Sequence, residues 1–122
     1  LQMALAAAAL SNEGIRPVPR LAMAVLTPAQ GWVILPALSE PVQALPAAGA
    51  RQTAEALMLT GQPFWGQSVT VPLAGQYFTW YLGGTLPDWQ GTPLAVVVLL
   101  EENNARLART TGETLLKSAV QP

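Results

Sequence analysis

Histidine and cysteine are both absent, which leaves four serines, seven carboxylates, five arginines and a single lysine, Lys117, as the first side chains to weigh for nucleophilic or acid/base chemistry. A serine hydroxyl is a poor nucleophile until a neighbouring base takes its proton. None of Ser11, Ser39, Ser68 and Ser118 has a lysine three residues on. Ser-His, Cys-His and zinc sites of the usual kinds are excluded by composition. Glu101 and Glu102 are adjacent, so on a continuing strand they point to opposite faces and make a poor acid/base pair. The glycines of "GQPFWG" and "YLGG" lack the spacing of a phosphate-binding loop. The polar run Gln67, Ser68 and Thr70 in "GQSVTV" offers hydrogen bonds without charge.

The elements that must position this run follow from periodicity. Leu1 to Asn12 is alanine-rich and predicts a helix, with Gly14 placed to take the left-handed conformation that ends it. Pro17 and Pro19 impose an extended lead-in, after which Arg20 to Thr27 and Gly31 to Pro36 flank turn residues, as in a β-hairpin. Residues 39–49 read as loop and 50–59 as a short amphipathic helix. Three strands are predicted at 67–71, 76–82 and 94–100; the last is a continuous run of branched apolar residues and implies burial on both faces. The fold class expected is α+β, an antiparallel sheet with the first and last helices covering one face, in a single domain spanning 1–122.

Composition bounds the function. With 51% hydrophobic residues, 11% charged and a mean hydropathy of +0.32, the chain is too apolar for disorder and short of solvating charge. A net charge of −1 with dispersed arginines gives no footprint for nucleic acid. Leu21 to Ser39 is free of charge, yet Pro28, Gln30, Gly31 and Pro36 fit two strands and a turn better than a membrane span. No basic segment precedes the apolar start, so any export address is expected upstream. The aromatics Trp32, Phe64, Trp65, Tyr77, Phe78, Trp80, Tyr81 and Trp89 raise the alternative of a glycan-stacking platform, although alternation sends Phe78 and Trp80 to one face and Tyr77 and Tyr81 to the other.

Several stretches, in order, resemble the second half of a penicillin-binding transpeptidase domain. "LQMALAAAALSNEGIRPVPRLAMAV" is similar to the helix and strand that follow the family's S-x-N motif; "GQSVTV" stands where the family has G-K-T-G-T-A; "QYFTWYLGG" resembles H-A-W-F-V-G-Y; "PLAVVVLLEENN" and "ARLARTTGETLLKSA" resemble the closing strand and C-terminal helix. The resemblance implies a partial transpeptidase, β-lactamase-like domain whose S-x-x-K and S-x-N motifs lie upstream, Leu1 falling inside a family helix. It implies a role in peptidoglycan assembly and an extracytoplasmic location, with any membrane anchor upstream. The strand that holds substrate carboxylate in the family carries Gln67, Ser68 and Val69, followed by Thr70, in place of K-T-G. Glutamine removes the ammonium that attracts a carboxylate, and valine adds bulk beside the strand. No catalytic residue, metal or cofactor is therefore assigned to this chain; Gln67, Ser68 and Thr70 are the substrate-binding candidates. The expected function is a degenerate scaffold or interaction module, with the fragment of an active D,D-transpeptidase as the alternative. Expected partners are the remaining half of the domain or another chain, a second copy of this chain through sheet edges or the alanine face of the first helix, and a peptidoglycan peptide.

Overall fold

A computed structural model describes residues 1–120. Its elements run α1 (Gln2–Ser11), β1 (Ile15–Arg16), β2 (Ala24–Thr27), β3 (Gly31–Ile34), β4 (Val42–Gln43), α2 (Ala47–Ala56), β5 (Phe64–Leu73), β6 (Gln76–Thr85), β7 (Ala95–Leu100) and α3 (Ala105–Val120). The class is mixed α and β with small antiparallel sheets, which agrees with the α+β expectation. The strands form three separate sheets rather than one: β1 with β4, β2 with β3, and a central sheet in the order β5-β6-β7.

Local chemistry accounts for the elements. Helix α1 closes with the Gly14 N–H donating to the Ala9 carbonyl at 2.7 Å, while Glu13 and Gly14 take φ of 50° and 83°. Gly14 is obligatory in a second way, because a Cβ there would run into the Leu45 carbonyl. β5 and β6 pair from Phe64↔Thr85 to Leu73↔Gln76. Their connection is the two-residue loop Ala74-Gly75, both at positive φ (49° and 80°), the geometry whose twist matches the flanking strands. Asn104 caps α3, its Oδ1 accepting the Leu107 N–H at 3.0 Å.

The segment 39–49, read as loop, contains β4 and the first residues of α2. Two residues of β4 pair with two of β1, a bridge too short to leave a periodic signal.

The two faces of the central sheet are covered differently. Register puts Trp65, Leu82, Gly84 and Val97 on one face and Ser68, Tyr81, Gly83 and Val98 on the other. On the first face Trp65 is buried with Ala7 of α1 and Ala54 of α2, and its indole N–H donates to the Ser11 hydroxyl at 3.0 Å. On the second face α3 lies against the sheet, with Gly112 so close to the Tyr81 ring that a Cβ there would overlap it. The first and last helices thus pack on opposite faces, which corrects the expectation that they share one. The physical reason is the content of β6, which buries Thr79, Tyr81 and Gly83 on one side and partly buries Trp80 and Leu82 on the other, so that a layer is needed on each.

The branched run 94–100 is also corrected in part. Helices α1 and α3 both contact β7, as two-faced burial requires, but β7 is an edge strand and Leu99 is 45% exposed. The β2–β3 hairpin packs on no other element closely, and leaves Leu26, Trp32 and Ile34 on its surface.

The Trp65–Ser11 bond is the polar tie between α1 and the sheet. Replacing Ser11 with Ala leaves a buried indole N–H unpaired and is expected to cost about 1–3 kcal/mol in denaturant unfolding. A Ser11→Ala variant as stable as the parent would show that the tie is dispensable.

Candidate functional site

The polar run lies on β5 as the alternation requires. Gln67 is exposed on the face shared with Trp65, whereas Ser68 and Thr70 are half-buried on the α3 face, opposite Tyr81 and Thr79. The three candidates therefore do not converge on one side of the strand. Thr70 is committed to structure. The Thr79 hydroxyl donates to the Glu102 carbonyl at 2.6 Å and accepts the Asn104 N–H at 3.1 Å. Its one proton being used, the contact of 2.9 Å with Thr70 makes Thr70 the donor. Thr70 thereby joins β5 to the turn that starts α3.

Gln67 and Ser68 do meet at a cleft. It has a volume of about 220 Å³ and lies between the end of α2 at Leu57 to Leu59, Gly66 to Ser68 of β5, Tyr81 and Arg109 of α3. The chain around it is set by two backbone bonds: the Gly66 N–H donates to the Leu57 carbonyl at 3.1 Å, and the Leu59 N–H to the Phe64 carbonyl at 3.2 Å. These bonds also fix orientation. With the Gly66 N–H pointing away from β6, the period of two sends the backbone groups of Ser68 and Thr70 outward along the same open edge.

The charges at the cleft belong to α3. Arg109 is its one cation, and the Arg109 Nε donates to the Glu113 carboxylate at 2.6 Å. That hydrogen bond, with the charge of Glu113, raises the guanidinium above its usual value. Lys117, which occupied no motif position in the sequence, sits 3.8 Å from the other oxygen of the same carboxylate. No carboxylate and no lysine lines the cleft. Ser68 accordingly has no base in the cleft to take its proton, and an anionic ligand would meet an arginine already engaged. The arrangement is able to donate neutral hydrogen bonds, together with the Arg109 N–H groups that Glu113 does not take.

Tyr81 is the residue that sequence reasoning undervalued. Its side chain is 1% exposed, its hydroxyl has no hydrogen-bond partner, and burial, followed by the charge of Glu113, pushes its pKa up to about 12. The ring fills space that Cβ atoms at Gly66, Gly83 and Gly112 would occupy. Those glycines belong to three different elements, so no local spacing betrays the arrangement; the one available signal was the glycine pair at 83–84 inside a strand.

The aromatics do not assemble into a platform. Phe64, Trp65 and Tyr81 are buried, while Trp32 stands 72% exposed on the separate hairpin. Among the described residues no group of three or more metal-ligating side chains is brought together, and no helix is long and apolar enough to cross a membrane.

The raised Tyr81 pKa carries a pH prediction. Between pH 10 and about 12 the unfolded state loses the phenolic proton and the folded state keeps it, so stability falls as pH rises through that window. Tyr81→Phe is expected to remove this alkaline loss without lowering stability at pH 7, because the hydroxyl it deletes has no partner. Thermal melts of both proteins at pH 7 and pH 11 test this; an identical alkaline decline in parent and variant would contradict it.

No protein-family model, no curated protein and no solved structure matches this chain.

Proposed function

We propose that this chain is the C-terminal portion of a penicillin-binding transpeptidase-like domain that has lost catalysis and serves as a scaffold or interaction module in peptidoglycan assembly outside the cytoplasm. The observation that carries the reading is the pairing of an open strand edge with the absence of lysine and carboxylate from the cleft. β5 exposes backbone groups at Ser68 and Thr70 on the strand that resembles the family's K-T-G strand, yet Gln67 stands in place of the motif lysine and the arginine of the cleft beside it is bonded through Nε to Glu113. An edge of this kind binds extended chains through main-chain hydrogen bonds, whatever becomes of the chemistry. The remaining half of the domain and a wall peptide are the partners that this reading supplies.

The order of elements also supports a second reading, in which the serine and lysine of an active D,D-transpeptidase lie upstream and Gln67 is tolerated. α1, the three-stranded sheet and α3 follow one another as the resemblance leads one to expect.

Labelling the complete native gene product with a fluorescent penicillin separates the two. The scaffold reading expects no covalent band on a denaturing gel beside an active transpeptidase. A labelled band would demonstrate a competent upstream serine and replace the scaffold with an acyl-transfer enzyme.

A further inference from the structure

We draw no further inference here: the strongest candidate, the apolar surface of the β2–β3 hairpin at Leu26, Trp32 and Ile34, carries nothing because nothing in the structure shows what covers it.

Discussion

The ring of Tyr81 sits where three glycines leave room for it, and the rest of the fold depends on that fit. Gly66 and Gly83 lack side chains on the sheet beneath it, and Gly112 lacks one on the helix above. The absence of Cβ atoms lets α3 approach the sheet closely, and this approach is what gives β6 a second buried face. Once α3 occupies that side, α1 and α2 take the other, where Ala7, Ala54 and Trp65 form the apolar cluster. Small residues recur at each contact, so the layers sit near enough for a chain of 122 residues to enclose two faces of one sheet. An unpaired phenol at the centre is the cost of this arrangement.

Much of the architecture was legible beforehand, and the reasons are specific. The alanine-rich run of α1 and its Gly14 terminus depend on local backbone preference, and Gly14 adopts the positive φ anticipated for it. The hairpin turn at Pro28 to Gly31 and the alternation of Phe78 and Trp80 against Tyr77 and Tyr81 are local as well. Sidedness was not legible. Whether α1 and α3 share a face depends on contacts between Gly84 and Ser11 and between Gly112 and Tyr81, residues far apart in sequence. The strand β7 illustrates the same limit differently: its composition speaks for an interior strand, while this chain supplies a neighbour on one side only.

The site divides in the same way. Periodicity placed Gln67 and Ser68 on a strand, and they do border one cleft. It gave no hint that Thr70 is held by Thr79 and the turn into α3, a bond spanning two elements. Nor did it indicate that Arg109, the cation of the cleft, is paired through Nε with Glu113 one helical turn on. Thr70 is thereby tied into the fold, and a carboxylate at the cleft would meet a guanidinium already bonded through Nε to Glu113.

On the proposed reading, the Gln67–Thr70 strand lacks the charge to hold a carboxylate. The most direct test is an amide NMR titration of the folded chain with an N-acylated D-alanyl-D-alanine peptide at millimolar concentration. The account predicts no saturable shift at Gln67, Ser68 or Thr70. Saturable shifts confined to those amides and the Arg109 side chain would contradict it, by showing that a carboxylate is bound where the structure offers only neutral donors and an arginine already paired.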